Sequence, residues 1–188
     1  MIQLKEIKTN HEHYPFMEQL LETAFPLQER RDSDKQRKNT DENPLFHNTL
    51  ITDDDTPIGL LTYWDFQTFV YIEHFAIDSR LRNGGYGSKT LEAFKHLVST
   101  PIVLEAEEPT DNLSRRRIGF YQRQGFVMQE VPYLQPPYRP CDEWLPLKLM
   151  TYGTLDMEKE YCTVRNNIYR EVYCHCCNNL QITDNQYI

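Results

Sequence analysis

Three of the chain's seven glycines, Gly84, Gly85 and Gly87, fall within four consecutive positions. They follow an extended apolar run, Thr68-Phe69-Val70-Tyr71-Ile72-Glu73-His74-Phe75-Ala76-Ile77, which reads as a strand. They precede an amphipathic stretch marked by Leu91, Phe94, Leu97 and Val98, which reads as a helix over roughly 85–98. Glycine tolerates positive φ and lets a ligand approach the backbone closely. A helix start presents free N–H groups and the positive end of the macrodipole. A strand, a glycine loop and a helix in that order therefore suit a phosphate.

Two common phosphate patterns fail at named residues. The Walker pattern needs glycine directly before Lys89-Thr90 and again five residues earlier, where Ser88 and Asn83 stand. The dinucleotide fingerprint begins with Gly85-x-Gly87 but meets Thr90 at its third glycine, so a nucleotide-binding Rossmann protein is disfavoured. What is left is Arg82-x-x-Gly85-x-Gly87 after a strand ending Ala76-Ile77-Asp78.

The other elements follow from periodicity. Residues 2–7 read as a strand, and Phe16, Leu20 and Ala24 mark a helix over 12–25 that Pro26 stops. Residues 28–42 are almost all polar and read as a solvated helix or loop. Strands over 46–52 and 57–66 flank the turn Asp53-Asp54-Asp55-Thr56. A buried strand over 102–107, a helix over 111–124, a strand from Phe126 to Val131, a proline-rich loop to Pro140 and a strand from Trp144 to Met150 complete a domain of residues 1–150. Tyr161, Val164, Ile168 and Val172 stripe a further helix over 154–174, in an extension covering residues 151–188. That helix must pack on the domain or on a partner, so a homodimer is open. The expected fold is α/β, a mixed and mostly antiparallel sheet flanked by helices, with one right-handed parallel crossover.

Composition narrows the partners. Twenty Lys and Arg against 28 Asp and Glu give a net charge of −8, which argues against nucleic acid and weakly favours a cationic substrate. No apolar run approaches the roughly 18 residues that span a membrane. The first residues lack a signal-peptide core, and five cysteines are an odd number, so the expected compartment is the cytoplasm.

The Arg82-x-x-Gly85-x-Gly87 loop resembles the acetyl-coenzyme A signature of the GNAT family, the Gcn5-related N-acetyltransferases. A second landmark, Tyr121-Gln122-Arg123-Gln124-Gly125-Phe126, is similar to that family's Tyr-x-x-x-Gly-Phe, about 35 residues further on. The element order of residues 1–150 also matches. The resemblance implies acetyl-CoA as co-substrate, and no metal is expected. It makes the backbone of Arg82, Asn83, Gly84, Gly85, Tyr86, Gly87 and Ser88 the pyrophosphate cradle. Phe75, Ala76 and Ile77 would hydrogen-bond the pantetheine arm, and Arg80, Arg82 and Lys89 would add positive charge.

Amide formation from a thioester needs a neutral amine and a protonated thiol leaving group. The resemblance places the base on the strand before the loop. Strand alternation puts Tyr71, Glu73 and Phe75 on one face and His74 on the other, where it packs. Glu73 is thus the expected base, directly or through water, with Tyr71 beside it to hold that water or contact the acceptor. Tyr121 matches the family tyrosine that protonates the thiolate. The family's usual Asn seven residues before that tyrosine is Ser114 here, and its small residue four before is Arg117.

Glu105, with Glu107 and Glu108, could attract an amine at the end of its strand, or could simply be solvated and pair with Arg115 to Arg117. Tyr133 and Tyr138, on either side of Pro136-Pro137, could wall the acceptor pocket. Cys174-His175-Cys176-Cys177 has no second ligand pair to complete a tetrahedral metal site. The sequence thus predicts acetyl transfer from acetyl-CoA to a primary amine of a small molecule or peptide. The alternative is a noncatalytic acyl-CoA-binding or regulatory protein on the same scaffold.

Overall fold

The computed structural model describes residues 1–174. Eight strands are present among them: β1 (Ile2–Glu6), β2 (Phe46–Asp53), β3 (Thr56–Asp65), β4 (Val70–Ile77), β5 (Ile102–Glu107), β6 (Val127–Met128), β7 (Tyr133–Gln135) and β8 (Leu145–Tyr152). They form one sheet in the order β1-β2-β3-β4-β5-β8-β6, with β7 also paired to β8. The β4–β5 pair is parallel and the others are antiparallel.

The β2–β3 hairpin turns through Asp54 and Asp55, both at positive φ (46° and 65°). A two-residue turn of that kind matches the twist of its strands. The expected strand from Phe126 to Val131 shrinks to Val127–Met128, and an unexpected strand, β7, forms within the proline-rich loop. Pro132 lies between the two, and β8 is long enough to pair with both.

The helices are α1 (Tyr14–Ala24), α2 (Ser33–Glu42), α3 (Tyr86–Leu97), α4 (Asn112–Arg123) and α5 (Met157–Asn167). Asp111 caps α4 by accepting from the N–H groups of Leu113 and Ser114. Helices α3 and α4 cover one face, where Leu91, Phe94 and Ile118 meet Ile51, Leu61, Ile72 and Leu104. Full burial of such a side chain is worth about 1.5–3 kcal/mol. Helix α1 covers Leu50 and Leu60 on the opposite face.

Helix α5 runs into a π-helical turn, Ile168–Val172, and also packs on that opposite face. Its Val164, Ile168, Tyr169 and Val172 are buried with Phe46, Trp64, Phe69 and Tyr71. The stripe that left a dimer seam open is thus used against the chain's own sheet. The segment 28–42 is not wholly solvated either: Arg31, Gln36 and Thr40 are buried. No helix among the described residues is long and apolar enough to cross a membrane. The residues 175–177 of the Cys/His cluster lie outside the described residues, which hold no metal-ligating group.

Candidate active site

The site is built where the sheet splits. Strands β4 and β5 pair only from Val70–Ile102 to Ile72–Leu104. Strand β4 nevertheless continues to Ile77 and β5 to Glu107. The split begins at a bulge. Tyr63 pairs with Ile72 and Thr62 with His74, so Glu73 is the extra residue. A bulge bends its strand and increases its twist. It swings the end of β4 away from β5 and leaves the Phe75–Ile77 backbone open on that side, with all three residues partly accessible.

The bulge also resets the side-chain alternation, which corrects one expectation. Tyr71 lies on the α5 face, whereas Phe75 and Ile77 pack with Ile72 on the α3 face. Phe75 therefore does not share a face with Tyr71 and Glu73. His74, expected across the sheet from Glu73, has its Nδ1 3.9 Å from a Glu73 carboxylate oxygen. It is packed as expected, against Thr62 and the carbonyl of Glu29.

The glycine loop joins the open end of β4 to α3. Asn83 (φ 68°) and Gly85 (φ 73°) both take the left-handed conformation, with Gly85 as the N-cap of α3. At Gly87 a Cβ would stand 3.3 Å from the ring of Phe120 on α4, so glycine eases the close approach of loop and helix there. The Arg82 N–H turns back to Ser79 O at 3.4 Å, and Lys89 N–H bonds Gly85 O. Between them none of the amides of Asn83 to Ser88 bonds a backbone carbonyl among the described residues, and these residues are exposed or half-buried. This run of free donors at a helix start is the shape and charge a pyrophosphate needs. Arg80, expected to add free charge, is engaged by Asp78 at 2.6 Å.

Tyr121 projects from α4 among Phe120 and Phe126. Its hydroxyl has no hydrogen-bond partner among the described residues. Burial pushes its pKa up to about 12, with the Arg117 charge opposing, so the phenol holds its proton at neutral pH.

Two carboxylates lie on the α5 side of the split, in different surroundings. The Glu73 side chain is fully shut from solvent and ion-paired with Arg31. It also accepts from Trp64 Nε1 at 2.9 Å and from the Tyr138 hydroxyl at 2.6 Å. Burial pushes its pKa up, but the Arg31 charge and these bonds outweigh that and hold it below the usual carboxylate range. A carboxylate so committed is a poor proton acceptor, which argues against the role expected for Glu73.

Glu105 stands one residue past the last β4–β5 pair. No cation among the described residues pairs with it. It accepts from the Tyr133 hydroxyl and, at 2.7 Å, from the Tyr173 hydroxyl. Burial raises its pKa to about 7 against the lowering effect of the Tyr133, Tyr173 and Tyr71 phenols. As a residue it is half-buried, as Glu73 is. Tyr71 is fully buried with its hydroxyl 3.3 Å from that of Tyr173. Of the expected acceptor residues, Glu105, Tyr71 and Tyr133 thus come together, while Tyr138 stands on Glu73. Glu107 is paired with Arg117 and Glu108 with Lys148.

Sequence reasoning missed Arg31, Trp64 and Tyr173. Arg31 lies in a polar run with no distinguishing spacing. Tyr173 directly follows Val172, the last residue of the C-terminal stripe, and no spacing singles it out.

The family model for the GNAT acetyltransferases matches residues 14–126, and the chain belongs to that family. It is an acyltransferase. A solved structure of a GNAT-family protein from Bacteroides thetaiotaomicron is 47% identical, with a TM-score of 0.90. The alignment covers 93% of this chain and 99% of that one. Arabidopsis thaliana Naa50, in complex with a bisubstrate analogue of CoA and a peptide, aligns at 16% identity and a TM-score of 0.59. That alignment covers 81% of this chain and 99% of its own. An aminoglycoside 6'-N-acetyltransferase complexed with coenzyme A aligns at 17% identity and a TM-score of 0.58, over 82% and 99%. These two share the fold. Among curated proteins nothing matches the sequence.

Proposed function

We propose that the chain transfers acetyl from acetyl-CoA to a primary amine of a small molecule or peptide, by direct attack of the amine. The observation that carries this reading is the uncompensated carboxylate, Glu105, at the first position where β4 and β5 part. Acetyl-CoA supplies an activated acyl thioester. The amides of Asn83 to Ser88 hold its pyrophosphate, and the open backbone of Phe75–Ile77 binds its pantetheine arm as an added strand. Glu105 takes the proton that the ammonium must lose, directly or through one water. A carboxyl poised near pH 7 suits that task. Tyr121, protonated and with no hydrogen-bond partner among the described residues, gives its proton to the departing thiolate. Glu73, paired with Arg31, stiffens the bulge from behind.

The test is an acetylation assay over polyamines, aminoglycosides, amino acids and peptides, run beside calorimetry with CoA. Turnover of an amine supports the reading. CoA binding with no turnover on any of them favours the noncatalytic alternative.

A further inference from the structure

Glu105 is gripped from two directions, and one grip comes from outside residues 1–150. The Tyr133 hydroxyl, from β7, meets one carboxylate oxygen. The Tyr173 hydroxyl, from the end of the C-terminal helix, meets the other at 2.7 Å. Two phenols on two different oxygens fix the plane of the carboxylate and leave the remaining lone pairs for a third donor.

Tyr173 is itself firmly placed. The turn before it is π-helical, closed by Tyr173 N–H on Ile168 O at 3.4 Å. A π turn inserts an extra residue into a helix and re-aims the side chains beyond it, and such turns recur at functional sites. Arg31 donates to Val172 O at 3.3 Å, and the Tyr169 hydroxyl donates to Leu134 O. The Tyr173 ring packs on that of Tyr138 at 4.7 Å, and Tyr138 in turn holds Glu73. The turn is thus tied to the ion pair, to β7 and to the proton acceptor together.

We propose that Tyr173 is a positioning residue of the acetyl-transfer centre, which makes the C-terminal turn part of the active site. It acts through Glu105, whose carboxylate it aims at the incoming amine and supports in the charged form. This rests on the reading of Glu105 as proton acceptor. The groups facing Glu105 are Tyr71 and Glu73 from β4, Tyr133 from β7, Tyr138 from the β7–β8 loop, and Tyr173. Tyr71, Tyr133 and Tyr173 are the phenols that favour its carboxylate; Glu73 disfavours it.

The experiment is the pH profile of kcat/KM for wild type, Tyr173→Phe, Tyr169→Phe and Glu105→Gln with one accepted amine. Removing the Tyr173 donor disfavours the charged carboxylate, so the acid limb moves upward. A shift of one pH unit makes Tyr173→Phe about 10-fold slower than wild type at pH 6 and within about twofold of it at pH 9. Tyr169→Phe, which loses a hydroxyl from the same turn, keeps the wild-type limb. An unmoved limb in Tyr173→Phe, with Glu105→Gln inactive, overturns the role of Tyr173 and spares that of Glu105. Glu105→Gln with wild-type activity and an intact limb overturns both.

Discussion

The Arg31 guanidinium and the Glu73 carboxylate form an ion pair with both side chains at or near zero exposure, 4% and 0%. Arg31 also donates to Gln36 and lies against the rings of Phe46, Trp64 and Tyr138. The pair therefore joins the polar segment before α2 to the bulge of β4 and to the β7–β8 loop. Removing one partner strands a buried charge, which typically costs about 3–5 kcal/mol.

Arg31→Met should thus lose about that much in urea unfolding, and the double variant Arg31→Met/Glu73→Gln should recover a large part of it. The pH dependence has a definite sign. Glu73 is held below its unfolded value, so its contribution is present above the unfolded carboxylate range and lost as pH falls through the folded value. Acid titration of the wild type's stability, compared with the double variant, reads that loss.

The glycine loop makes a separate prediction. Gly85 sits at φ 73° as the N-cap of α3, where a Cβ meets no neighbour but strains the backbone. Gly85→Ala should cost about 1–2 kcal/mol in stability. It should also weaken CoA binding in calorimetry while leaving kcat at saturating acetyl-CoA within a few-fold. An unchanged Kd for CoA would remove the cradle from this loop.

Tyr121 is expected to act on the leaving group and not on binding. Tyr121→Phe should lower kcat by about 10²-fold, the low end for a positioned general acid, with the Kd for acetyl-CoA unchanged. Steady-state kinetics beside calorimetry separates the two effects. Wild-type turnover in the variant would return Tyr121 to a packing role among Phe120 and Phe126.

Much of the architecture was legible because it obeys local rules. The hairpin at Asp54-Asp55 and the crossover around Gly85 each depend on residues adjacent in sequence. The bulge at Glu73 was not, since strand alternation says nothing about where a register slips. That one residue moved Phe75 to the other face. Which carboxylate lacks a cation was hidden for a related reason. Glu73 and Glu105 look alike as strand glutamates, and the charge that separates them is Arg31, 42 residues from Glu73. Such a pairing needs the whole fold before it exists. Tyr173 was hidden in the same way, 68 residues from Glu105.

The proposed mechanism turns on Glu105 as the group that accepts the amine's proton. The direct measurement is kcat/KM for Glu105→Gln at pH 8 with an accepted amine, with the Kd for acetyl-CoA determined on the same sample. The mechanism predicts a loss of about 10²–10⁴-fold and an unchanged Kd. Turnover within a few-fold of wild type would contradict it.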